Sequence, residues 1–282
     1  MDPDVAAVEG GENQMGIGRM ARQGFLAITA ALCLAPTNSA SQSNTRGKIL
    51  DVVKNSACSK NKWSGRGVAP LSYIEGMAVT YAKVYVELKN GAADSSSVQA
   101  SKDIVPNNRK DALSVYALSG SDAISRLRST YTMAIGHGLL ESSGNPTVGA
   151  DCVMSEAIHY RHCSYYTDHP GEAEAGLFQP SFDSFDAART TFAALRQTYK
   201  QPGTDCLQTL YQGQLPDKKR RAFGAGKTLE FQELTKSCPA FATEYESVML
   251  RVDADHFGPI KRKEASYSTD CESMLRSVEG IL

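Results

Sequence analysis

Apolar residues along this chain recur at three- and four-residue spacing, the period of a helix packed on one side. Tyr73, Met77, Tyr81 and Val84 predict a helix from about Ser72 to Leu88, and a shorter one follows over Asp111–Leu118. Ile124, Leu127, Tyr131, Ala134, Ile135 and Gly138 form the stripe of a helix from Ser121 to Glu141, opened by the capping pair Ser121-Asp122. Phe182, Phe185, Ala188, Phe192, Leu195 and Tyr199 predict a helix over 182–200, stopped by Gln201-Pro202-Gly203. A short helix carries Cys206, Leu207 and Leu210. Phe241, Tyr245, Val248 and Leu250 predict 238–254, begun by Cys238-Pro239. After a turn at 256–260, Ala265, Met274, Leu275 and Val278 predict a closing helix over 261–281. Residues 42–70 read as a polar, extended lead-in, 90–108 as a loop, and Lys218-Lys219-Arg220-Arg221 as a solvated connection. Strand alternation and internal repeats are absent from the sequence pattern. The expected fold class is therefore mostly α, one domain over 42–282.

One position breaks the pattern. Glu141 falls within about 40° of Leu127 in helical projection, so it shares the inward face. A carboxylate on the buried side of a helix is unusual. Partial desolvation and the negative end of the helix dipole should both raise its pKa, the condition a general acid needs near neutral pH. Gly136 and Gly138 weaken the same helix, which makes sense if another backbone packs closely there. Beyond it, 142–175 is too long for a plain turn and is rich in His, Tyr and Asp.

Composition narrows the setting. The chain has 282 residues, 41% apolar and 22% charged, ordinary for a globular protein, with a net charge of −1. Near neutrality gives no electrostatic case for nucleic acid or a strongly anionic membrane. Arg19 and Arg22 precede the apolar run Gly24–Ala35, too short to span a bilayer but suited to a signal-peptide core. Small residues at Ser39, Ala40 and Ser41 suit cleavage, so 1–41 is read as signal peptide and leader, with Met15 or Met20 as alternative starts. Removing Cys33 with that leader leaves Cys58, Cys152, Cys163, Cys206, Cys238 and Cys271, an even set. Such a set fits disulfides in an oxidising compartment, periplasmic or secreted. Cys152 with Cys163 is the preferred local pair, since it would staple the loop after Glu141. Neither CxxC nor HxxxH spacing occurs, so a zinc site is the weaker alternative.

Glu141 with Ser142-Ser143-Gly144-Asn145-Pro146 resembles the catalytic segment of the lysozyme superfamily. The later Glu174-Ala175-Gly176-Leu177-Phe178-Gln179 resembles its cleft-shaping Gly-Leu-Met-Gln-type stretch. Goose-type lysozymes and soluble lytic transglycosylases carry both in this order. With CPAFATEYESVMLR and HFGPIKR, the chain also looks like exported bacterial lysozyme-like proteins of unassigned substrate. The resemblance implies a lysozyme-like fold with a long disulfide-stapled loop. It further implies cleavage of a β-linked amino-sugar polymer, with peptidoglycan the expected partner, by a muramidase, lytic transglycosylase or chitosanase-type glycosidase. Glu141 would be the general acid, and Ser142, Gly176, Phe178 and Gln179 would line the substrate cleft.

Hydrolysis needs a second group: a base about 6.5–9.5 Å from the acid for inversion, or a nucleophile at about 5–5.5 Å for retention. Asp151 and Glu174 are the two leading candidates, and a transglycosylase needs neither. His137, His159, His162 and His169 cluster with Tyr160, Tyr165 and Tyr166 in or beside the loop. The flat faces of these tyrosines, Tyr165 among them, suit a sugar-binding rim. Metal binding and simple loop packing are the other readings. Gly224-Ala225-Gly226-Lys227 is too short for a phosphate loop, and a nucleophile elbow is lacking. No cofactor is expected. The alternative function is a non-catalytic glycan-binding or secreted interaction protein.

Overall fold

The helix Ala123–Ser142 is surrounded by protein on every side over its second half. Asp122 caps its start, its Oδ1 accepting from the Ser125 N–H at 2.9 Å. Leu127, Tyr131, Ala134 and Ile135 are buried, but so are Thr130, Thr132 and Met133 on the other faces. The one-sided stripe expected from the sequence thus gives way to a helix enclosed over most of its second half. Gly136 allows this, because a side chain there would overlap the Ser266 carbonyl. At Gly138 an added Cβ would lie 2.6 Å from the Tyr73 hydroxyl and 2.7 Å from Phe178.

This computed structural model describes residues 39–92, 95–102, 112–115, 122–149, 165–184, 186–214, 222–252 and 258–282. The described residues fall in one compact unit. The expected leader lies outside the described residues. The described protein is mostly helical, with one antiparallel pair, Lys62–Trp63 against Gly67–Val68.

Two helices enclose one another at the centre. Ala123–Ser142 packs against Leu71–Lys89, Thr269–Glu279 and the second enclosed helix, Pro239–Val252. The latter faces two apolar clusters at once. Ala242, Val248 and Leu250 join the cluster of the Ala123–Ser142 helix. Ala240, Phe241, Tyr245 and Met249 join Phe182, Phe192 and Phe231 on the other side. In that second cluster the rings meet edge to face, Phe192–Phe231 at 5.4 Å and Phe231–Tyr245 at 5.2 Å. Each buried ring contributes about 2 kcal/mol of hydrophobic stabilisation.

Several boundaries differ from the sequence expectation. Residues 42–55 are not extended: Ser39–Asn55 is a helix in which, among the described side chains, only Ile49 and Val53 are buried. Its apolar signal is too thin to read. Ser96–Ala100 inserts a short helix into the expected 90–108 loop. Gly226–Ser237 is a helix where none was expected, its Phe231 filling the aromatic cluster. The closing helix begins only at Thr269, where Ser268 caps it. Ala112–Val115 is helical within the expected Asp111–Leu118. The sequence 218–221 and the turn residues 256–257 lie outside the described residues.

Two disulfides staple the unit. Cys58–Cys271 ties the turn after the first helix to the last one, and Cys206–Cys238 ties the segment before Gln208–Gln214 to the start of the second enclosed helix. The expected pair Cys152–Cys163 lies outside the described residues. No helix among the described residues is long and apolar enough to cross a membrane.

Candidate active site

The C-terminal end of Ala123–Ser142 is where the buried interior meets solvent. Ser143 takes a left-handed conformation (φ 56°), and its N–H donates to the Leu139 carbonyl at 3.0 Å. Arg66, from the turn between the paired strands, donates to Ser143 Oγ at 3.1 Å and to the Leu140 carbonyl. A guanidinium thus lies against the negative end of the helix dipole.

Glu141 stands in the last turn, its side chain 21% exposed. One turn earlier on the same face is His137, whose Nε2 lies 3.4 Å from Glu141 Oε1. On its other side, His137 Nδ1 meets Glu246 Oε1 at 2.7 Å, and Glu246 belongs to the second enclosed helix. His137 and Glu246 are only 9% and 7% exposed at their side chains. Phe178 packs on the imidazole at 6.0 Å between ring centroids. Burial by itself would lower the His137 pKa. The Glu246 carboxylate and then Glu141 overcome that penalty and push it up to about 9. His137 is therefore protonated at neutral pH, between two glutamates.

The second carboxylate candidate comes from a different stretch. Ala173, Ala175 and Leu177 point inward while Glu174 between them is exposed. Protein nonetheless crowds the Glu174 carboxylate and strips part of its hydration. That loss of hydration, followed by the charge of Glu141, raises its pKa. The charge of Glu141 thus reaches Glu174 from a different chain segment. Asp151 lies outside the described residues.

The Gly176–Gln179 stretch is a brace. The Gly176 N–H donates to the Val148 carbonyl at 2.7 Å. Gln179 Nε2 donates to the carbonyls of Val148 at 3.0 Å and Gly176 at 2.6 Å. Gly149 has φ 103°, and a Cβ there would press on the Glu174 carbonyl and Gln179 Oε1. The amide of Gln179 is thereby engaged with backbone, Phe178 is buried against His137, and Gly176 packs on Thr235. Ser142 is buried too, its hydroxyl donating to the Gly138 carbonyl at 3.0 Å. These four expected substrate-binding residues build the wall that places Glu174 and Glu141. Their polar groups satisfy that wall instead of facing solvent. Tyr165 remains exposed, stacked on His169 at 4.4 Å and donating to Glu172 Oε2 at 2.5 Å. Among the described residues no group of three His, Cys, Asp or Glu is arranged to hold a metal ion. His159, His162 and Tyr160 lie outside them.

Sequence reasoning missed Glu246, Arg66 and Gly258, and grouped His137 with the loop histidines. The readable signal for His137 was its four-residue spacing from Glu141. For Glu246 it was an acid inside an inward-facing apolar run. Gly258, with φ 55°, would bring an added Cβ 2.8 Å from Glu141 Oε1. Comparison with protein families, curated proteins and solved structures finds no match to this chain.

Proposed function

We propose that this protein is an exported, lysozyme-like glycosidase that cleaves a β-linked amino-sugar polymer, with peptidoglycan as its substrate. The observation that carries the reading is the meeting of Glu141 and Glu174. Glu141, in the last turn of the central helix and partly exposed, lies near enough for its charge to raise the pKa of Glu174, which comes from a separate chain segment. Glu141 protonates the glycosidic oxygen as that bond breaks, and an oxocarbenium-like sugar develops. Glu174, more basic than an ordinary carboxylate because it is desolvated, suits a group that takes a proton from attacking water. Asp151 is the other candidate for that role. Where the substrate's own hydroxyl attacks, the product is an anhydro sugar and the second carboxylate is dispensable. The disulfides Cys58–Cys271 and Cys206–Cys238 support residence in an oxidising compartment.

The test is incubation of the protein with peptidoglycan, chitosan and chitin, with product ends read by mass spectrometry. Reducing ends indicate hydrolysis and anhydro ends indicate transglycosylation. Full cleavage by Glu141→Gln would remove Glu141 from the chemistry. Glycan retention without cleavage by the unaltered chain would support the binding-protein reading.

A further inference from the structure

We propose that His137 and Glu246 form a buried positioning pair that stores, behind Glu141, the proton Glu141 delivers. This rests on the reading of Glu141 as general acid. The geometry is a line of three groups from two helices. Glu246 Oε1 lies 2.7 Å from His137 Nδ1, and His137 Nε2 lies 3.4 Å from Glu141 Oε1. The inner two are enclosed and only Glu141 reaches solvent, so the line has one outlet.

The proton count follows from the groups. Glu246 is a buried acceptor, so Nδ1 carries a hydrogen and donates to it. Nε2 then either carries a second hydrogen facing an anionic Glu141, or has passed it to Glu141 and become a neutral acceptor. The two arrangements differ by one proton moved between Nε2 and Oε1, with total charge unchanged. In the second, Glu141 is a carboxylic acid poised to protonate a leaving oxygen. When that proton leaves with the alkoxide, the glycosidic C–O electron pair goes to oxygen and Glu141 is left anionic. Water supplies the hydroxyl of the new sugar end and gives up its other proton to solvent, and one proton from solvent reloads the unit, so the protons balance over the cycle. The elevated affinity of His137 for its second proton, lost only at about pH 9, means the unit stays loaded through neutral pH.

Other groups around the pair do not replace it. Tyr73, from Leu71–Lys89, points its hydroxyl at the Ala134 and Ile135 carbonyls, at 3.2 and 2.8 Å. Burial keeps that phenol protonated. Phe178 covers the imidazole without charge. Glu174 and Arg262 act on the Glu141 end, one negative and one positive.

The experiment combines imidazole NMR of the 15N-labelled full chain with pH profiles of cleavage for unaltered protein, His137→Gln and Glu246→Gln. The signal absent from His137→Gln identifies the ring. The expected result is a doubly protonated imidazole at pH 7.5 that titrates near pH 9. In Glu246→Gln its titration falls by at least about one pH unit. Cleavage by His137→Gln should stay within about threefold of the unaltered rate at pH 5 and fall more than about a hundredfold at pH 8, with KM unchanged. A ring already neutral at pH 7.5, a titration insensitive to Glu246→Gln, or an alkaline limb unmoved in His137→Gln each overturns the proposal. A uniform loss at every pH also overturns it, since that is the mark of a purely structural role. If the unaltered chain cleaves no glycan, the glycosidase reading fails while the NMR result still decides the protonation of His137.

Discussion

Glu244 and Glu246 lie two residues apart on one enclosed helix, and the protein uses them in opposite ways. Glu244 points into a closed set of donors: Lys83 Nζ at 2.7 Å, Tyr199 Oη at 2.6 Å and Ser96 Oγ. Its charge is answered locally by a cation and two hydroxyls, and Lys83 also lies over the Tyr199 ring at 4.7 Å. Arg128 with Glu279 and Tyr81 repeats that arrangement elsewhere. Glu246 turns to the other face and meets His137, which continues the line to Glu141 at the surface. A buried acid whose partners close on themselves holds helices together. A buried acid whose partner leads to solvent can govern a proton outside.

The sharpest break of this comparison is at the outlet. Glu141→Gln should lower cleavage by at least about a thousandfold, roughly 4 kcal/mol in barrier, while the protein stays folded. The next is a pH ramp in stability. The folded pKa of His137, about 9, exceeds the ordinary 6.5. Its stabilisation is therefore complete below about pH 6.5 and lost as pH rises through about 9, a decline of roughly 3 kcal/mol. Denaturant titrations at pH 6.5, 8 and 9.5 should show it in the unaltered chain and show it flattened in Glu246→Gln.

Gly258→Ala tests placement without touching charge. The new methyl displaces the free end of Glu141, so cleavage should fall about a hundredfold, roughly 2.7 kcal/mol. Stability should fall only about 1 kcal/mol, from the left-handed backbone. Glu244→Ala is the counterpart on the closed side. It should lower stability by about 2–3 kcal/mol, moderated because the Lys83 side chain is 37% exposed and can rehydrate. The cleavage pH profile of the folded protein should not move. Smallest is Glu174→Gln, which removes a desolvated charge near Glu141. Thermal melts should show it neutral or stabilising by about 0.5 kcal/mol, while hydrolysis falls if Glu174 is the base.

Helix existence was legible wherever apolar spacing was dense, as in Leu71–Lys89 and Pro239–Val252. Ser39–Asn55 was not legible, because two buried residues in a polar helix leave almost no periodic signal. Gly226–Ser237 was hidden by its glycine-rich start. At the candidate site, the position of Glu141 at the end of the central helix was legible from local spacing. That the Ser142 hydroxyl and the Gln179 amide bond backbone carbonyls was not legible, since such a group reads the same in sequence whether it faces solvent or a carbonyl.

The sequence by itself determined the mostly helical class, the central helix with its Asp122 cap, and the carboxylate at that helix's end. These follow from spacing within one element, where contacts between neighbours in the chain set the outcome. Only the tertiary structure decided that the second half of the helix is largely enclosed, that Arg66 caps it, and that Glu246 reaches His137 across 109 residues. The physical reason is that a histidine's charge depends on what surrounds it. Here that surrounding comes from a second helix, which no local pattern specifies.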